Sequence, residues 1–157
     1  MPTAIALSQA SLNTLDLTPA QTVLEPLLAD LDPVNQDINL RFEIDYPRDP
    51  TDPRELSEIP EVRLWFIRLD TLYPWLPLIL DWEAGELGRY AAMLVPHQFS
   101  PREGIRYNPE ALEIFVMRKV FDINHWLQAQ GITSRTRLKF MTQMLGYELD
   151  DAFFQIL

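Results

Sequence analysis

Between positions 38 and 46 apolar and polar side chains alternate without a break: Ile38-Asn39-Leu40-Arg41-Phe42-Glu43-Ile44-Asp45-Tyr46. Only an extended chain puts every second side chain on one face, so this run predicts a strand that buries Ile38, Leu40, Phe42, Ile44 and Tyr46. The opposite face, Asn39, Arg41, Glu43 and Asp45, is too polar for a core and must meet water or a partner. A sheet covered by helices on one side only is implied, and that restricts the fold class.

Elsewhere the apolar period is helical. Thr18-Pro19-Ala20-Gln21 predicts a helix start, with Thr18 as cap, Pro19 in the first turn and Gln21 reaching back. Val23, Leu24, Leu27, Leu28 and Leu31 give that helix an apolar face, and Pro26 interrupts its hydrogen bonding. Residues 61–73 fit a helix through Val62, Trp65, Phe66, Leu69 and Tyr73. Val62, Leu64 and Phe66 also fit a strand, but the helix fits more residues. Leu78-Ile79-Leu80 reads as a short buried strand ending at Asp81, residues 84–95 as a helix stopped by Pro96, and residues 97–101 as a loop. Asn108 caps the longest helix, which Gly131 closes. Ser134 caps a basic helix ended by Gly146, and residues 148–157 form a last one. The C-terminal half reads as an all-helical array. The whole is α+β: a small sheet with one clear strand and two or three in total, packed by about five or six helices, as a single domain over residues 1–157.

Charge narrows the partners. Twenty-three acids against 13 bases give −10, and the excess is local: residues 1–100 hold 16 acids and 6 bases, residues 101–157 seven of each. Nucleic acid and anionic membrane are repelled, and a basic protein surface is favoured. The chain has no cysteine, which excludes a disulfide scaffold and thiolate ligation of metals or clusters. The N-terminal residues lack the basic and apolar regions of a signal peptide, and no apolar stretch approaches the ~18 residues of a membrane span, so a cytoplasmic location without membrane insertion is expected.

No Gly-rich phosphate loop, nucleophile elbow or paired-histidine metal motif occurs, so no catalytic residue, metal ligand or cofactor is assigned. His97 and His125 are the only histidines. His125 suits the negative C-terminal end of a helix, whereas His97 beside Phe99 is the better functional candidate. Asp45, Asp49, Asp52, Glu55, Glu58 and Glu61 crowd a segment with four prolines at 47–60. Together with His97 they could form a small enzyme or ligand-binding site. Interleaved Arg48 and Arg54, and the use of Asp52 as a cap for a short helical turn, favour a solvated ion-pair loop instead. Such a loop, stiffened by proline, loses little entropy on docking. The Tyr73-Pro74-Trp75-Leu76-Pro77 corner adds Trp75 as an exposed anchor. The partner-binding set is therefore Tyr46, Arg48, Asp49, Asp52, Arg54, Trp75, His97 and Phe99. A further alternative is a DNA-binding regulator using Arg135, Arg137 and Lys139 in the basic helix 134–145, but three bases are a thin basis in so acidic a chain.

Several runs together resemble a known family: Leu40-Arg41-Phe42-Glu43-Ile44-Asp45-Tyr46-Pro47-Arg48-Asp49-Pro50, Pro60-Glu61-Val62-Arg63-Leu64-Trp65-Phe66-Ile67-Arg68-Leu69-Asp70, Met93-Leu94-Val95-Pro96-His97-Gln98-Phe99-Ser100, and Gly104-Ile105-Arg106-Tyr107-Asn108-Pro109-Glu110-Ala111-Leu112-Glu113. They resemble the chlororespiratory reduction six family over roughly residues 38–157. That resemblance implies a non-catalytic assembly factor for the photosynthetic NADH dehydrogenase-like complex of cyanobacteria and chloroplasts. It implies as client the I subunit, a ferredoxin-like protein holding iron–sulfur clusters. The missing transit peptide points to a cyanobacterial member rather than a plastid precursor.

Overall fold

The computed structural model describes residues 3–29 and 38–157 and has the expected α+β class: seven α-helices and two two-stranded sheets among the described residues. The chain forms two compact units, one of Met1–Tyr73 with Ile79–Leu94, the other of Pro74–Leu78 with Val95–Leu157.

In the first unit β1 (Thr3–Ser8) pairs in parallel with β2 (Leu40–Asp45), from Thr3↔Leu40 to Ser8↔Asp45. Parallel neighbours need a long crossover; here it carries α1 (Gln9–Asn13) and α2 (Thr18–Ala29). The alternation in β2 is realised, with Leu40 and Phe42 buried and Arg41, Glu43 and Asp45 exposed. The strand begins at Leu40 rather than 38 because Asn39 turns to φ 50, a conformation asparagine tolerates better than most residues. β1 buries Ile5 and Leu7 on the same side. Onto this face pack α3 (Pro60–Leu72) and α4 (Glu86–Leu94), which place Trp65, Phe66 and Tyr90 around Phe42. Edge-to-face pairs such as Phe42–Phe66, with centroids 5.1 Å apart, add about 0.5–1.5 kcal/mol each beyond area burial. The polar tips are satisfied: Trp65 Nε1 donates to Asp16 C=O (2.8 Å) and Tyr90 OH to Asp70 (2.9 Å).

Several local expectations are corrected in this unit. Thr18 is not the cap of α2; Asp16 accepts its N–H (3.0 Å), and the Leu17 carbonyl takes the N–H groups of Ala20 and Gln21, so the helix is entered one residue earlier. Pro26 does not end α2. It and Thr22, whose carbonyl it leaves without a donor, are exposed, so water can serve that carbonyl. Leu31 lies outside the described residues. Leu78-Ile79-Leu80 is not a strand: Leu76–Ile79 is a 3₁₀ turn, and only Leu80 bridges Leu40.

In the second unit α5 (Pro109–Ala129), α6 (Thr136–Met144) and α7 (Asp151–Gln155) follow a hairpin, β3 (His97–Ser100) with β4 (Gly104–Tyr107). The C-terminal half is therefore not all helical, and the segment read as a loop is a strand. Asn108 caps α5 as expected, accepting Ala111 N–H at 3.0 Å. Gly131, at φ 72, ends it with Gly131 N–H to Gln128 C=O and Ile132 N–H to Leu127 C=O. Ser134 is a weaker cap than expected, because Arg135 occupies the cap position and Ser134 Oγ accepts Thr136 N–H at 3.4 Å.

Candidate partner-binding surface

The loop that leaves β2 is exposed yet ordered by its own side chains. Tyr46 stands half-buried, its hydroxyl donating to Asn13 Oδ1 (2.9 Å), and Arg48 is exposed. Asp49 Oδ1 accepts both the N–H (2.8 Å) and the hydroxyl (2.6 Å) of Thr51, and the Asp49 carbonyl accepts Asp52 N–H (2.9 Å). Asp52 in turn accepts Arg54 N–H (3.0 Å) and grips its guanidinium through Nε and Nη2, the latter at 2.9 Å. Asp52 therefore caps no helical turn. The Leu56–Glu58 3₁₀ turn starts after Glu55, whose N–H is taken by Glu58 Oε1 (3.0 Å).

These bonds set the acid–base character of the loop. Thr51 holds the Asp49 carboxyl below its ordinary range; Arg54, through guanidinium and amide, pulls Asp52 from 3.8 to about 2. The Asp52 carboxylate raises Arg54 in return. A general acid or base working near neutral pH needs its carboxyl pushed the other way. The arrangement holds fixed negative charge on a stiff scaffold, which suits docking.

The second unit offers the hairpin. Its turn is built by Ser100 Oγ, which accepts the N–H groups of Arg102 and Glu103 (3.3 Å each), and by Gly104 at φ 74. The base is tied by Asn108 N–H to Pro96 C=O (2.9 Å). His97 Nδ1 lies 2.8 Å from Val95 C=O, and since a carbonyl only accepts, this nitrogen carries the proton. The imidazole packs edge-on against Phe99 (5.0 Å) and near Tyr107 (6.1 Å), its partner across the strands. Phe99 is 41% exposed. Among the described residues no three metal-ligating side chains converge. Tyr107 was missed by sequence reasoning; the Gly104 punctuation between two short runs was the signal for a hairpin.

Trp75 departs from expectation. It is 3% exposed and stacks on Trp126 with centroids 5.4 Å apart, so it belongs to the core of the second unit and is no free anchor. Lys119 Nζ donates to Pro74 C=O (3.3 Å) and fixes the corner. The basic helix is likewise committed to its own unit. Arg135 donates to Asn124 Oδ1 and Ile132 C=O (2.6 Å each), Arg137 to Leu78 C=O, and Lys139 lies 3.4 Å from Asp151. These cations brace helices, which disfavours the DNA reading. No described helix is long and apolar enough to cross a membrane. A family model described as chlororespiratory reduction 6 matches residues 7–156, and no solved structure matches the chain.

Proposed function

The chain belongs to the chlororespiratory reduction 6 family, and on that premise we propose that it binds the ferredoxin-like iron–sulfur I subunit of the photosynthetic NADH dehydrogenase-like complex and assists its maturation or insertion without catalysing a reaction. Membership itself ties the chain to assembly or maturation of that complex; the client and the manner of binding are the proposal. A cyanobacterial cytoplasm, or the stroma for a plastid relative, is the setting that goes with it.

The observation that carries the reading is the family match over nearly the whole chain. The surface supports it. An acidic, preorganised loop containing Tyr46, Arg48, Asp49, Asp52 and Arg54 offers a docking face whose bonds are already made before binding. The hairpin offers His97 and Phe99 as a second. A chain without cysteine also cannot draw clusters from its client by thiolate exchange.

The test is co-purification of the tagged chain with folded, cluster-loaded I subunit at low salt. A one-to-one complex is expected; no complex under those conditions refutes the proposal. Cluster reconstitution on the client, with and without this chain, then separates maturation from insertion.

A further inference from the structure

An edge strand leaves backbone N–H and C=O groups without strand partners, and proteins ordinarily blunt it with lysine, proline or a bulge. The two edges of the β1–β2 pair are treated differently. On the β2 side the groups are closed at Leu40 and Phe42, over the first half of the strand: Leu40 C=O accepts Asp81 N–H (2.9 Å), Phe42 N–H donates to Glu86 Oε2 (3.3 Å), and Phe42 C=O accepts from Arg89 Nη1 (2.9 Å). Backbone groups alternate in direction along a strand, so Arg41, Glu43 and Asp45 are the β2 residues that bond β1. In the observed register they meet Thr3, Ile5 and Leu7. Ala4 and Ala6 therefore turn their N–H and C=O groups outward. Among the described residues no hydrogen bond reaches them there, and Thr3-Ala4-Ile5-Ala6-Leu7-Ser8 has no charge, no proline and no bulge.

Side chains and charge define what fits. Ala4, Ala6 and Ser8 stand exposed beside Arg41, Glu43 and Asp45. Asp81 pairs with Arg41 at 2.7 Å, which leaves Glu43 and Asp45 as the charge of this face. A strand added outside β1 would lie about 9–10 Å from β2, two strand spacings away. The alanine methyls leave that span clear for a Lys or Arg stem. A groove of about 520 Å³ opens at this corner, lined in part by Ala6, Ser8, Ser11, Glu43 and Asp45. We infer that the outer edge of β1 is a docking site for an extended, basic segment of a protein partner, which adds as a third strand. A second copy of this chain, itself carrying −10, is repelled and is the poorer occupant.

The inference rests on the partner-binding reading but not on the identity of the client, and its test uses no I subunit. The full chain is titrated with a short fluorescent peptide of alternating lysine and valine, with the same peptide N-methylated on alternate backbone nitrogens, and with a glutamate–valine counterpart. The lysine peptide binds and slows hydrogen exchange at the Ala4 and Ala6 amides. N-methylation of the peptide, or Glu43→Lys with Asp45→Lys in the protein, weakens it about tenfold or more. Equal binding of the N-methylated or the acidic peptide overturns the inference, as does protection confined to other amides. So does a dimer of the chain alone that Ala6→Lys abolishes, since the occupant would then be a second copy. Because N-methylation alters only the peptide, its result stands even if a protein variant misfolds. A negative outcome here leaves co-purification with the client intact, and the converse also holds.

Discussion

Asp52 was expected to cap a helix and instead holds its own loop, because a carboxylate two residues before an arginine finds the arginine's amide and guanidinium before any helical N–H. The consequence is measurable. A carboxyl whose pKa falls on folding binds fewer protons in the folded loop, so its contribution is complete above 3.8 and is lost as pH drops through about 2. The Arg54 amide proton should therefore titrate with a midpoint near 2 by NMR, and a midpoint at 3.8 would show that the clasp does not form in solution. Trp75 teaches the opposite lesson about single residues. A proline-flanked tryptophan looks exposed when its stacking partner, Trp126, is 51 positions away in the sequence. Trp75→Ala should cost about 3–5 kcal/mol in urea unfolding; a loss under about 1 kcal/mol would restore it as a candidate surface anchor.

Elements that announce themselves by period and caps were legible. α3 and α5 lie where apolar spacing put them, and β2 where alternation did. β1 was not, because its exposed positions are Ala4 and Ala6, and alanine alternating with Ile5 and Leu7 gives no polar–apolar contrast. The hairpin was hidden because each strand is only four residues long, too short for a period to repeat. In the candidate site, the loop of Asp49 and Asp52 was legible from composition, whereas the pairing of His97 with Tyr107 depends on a register that no local pattern encodes. The ends of α5 permit a separate check. Asn108→Ala removes the acceptor of Ala111 N–H and should cost about 1 kcal/mol. Gly131→Ala should cost about 1–2 kcal/mol by backbone strain alone, since an added Cβ meets nothing within 4 Å. The two should add, being separate ends of one helix, and chemical denaturation of both single variants and the double variant tests this.

At the scale of the whole molecule the charge follows the division into units. Residues 1–73 and 79–94 contain all sixteen of the acids and all six of the bases found before residue 101, so the entire −10 belongs to the first unit, while the second holds seven of each sign. A net charge concentrated in this way steers a basic partner towards one unit, and steering acts on association rate and fades with salt. Arg68 and Arg118 are both exposed, one in each unit. Arg68→Glu should speed association with the client several-fold at about 0.05 M salt, with the gain vanishing near about 0.5 M. Arg118→Glu makes the same change in total charge within the neutral unit and should alter the rate less. Stopped-flow measurement across that salt range compares them directly. If both substitutions accelerate association equally, the partner responds to net charge alone and the first unit has no privileged role. If only Arg68→Glu does, the loop after β2 and the open edge of β1, both in that unit, are the places on which the encounter converges.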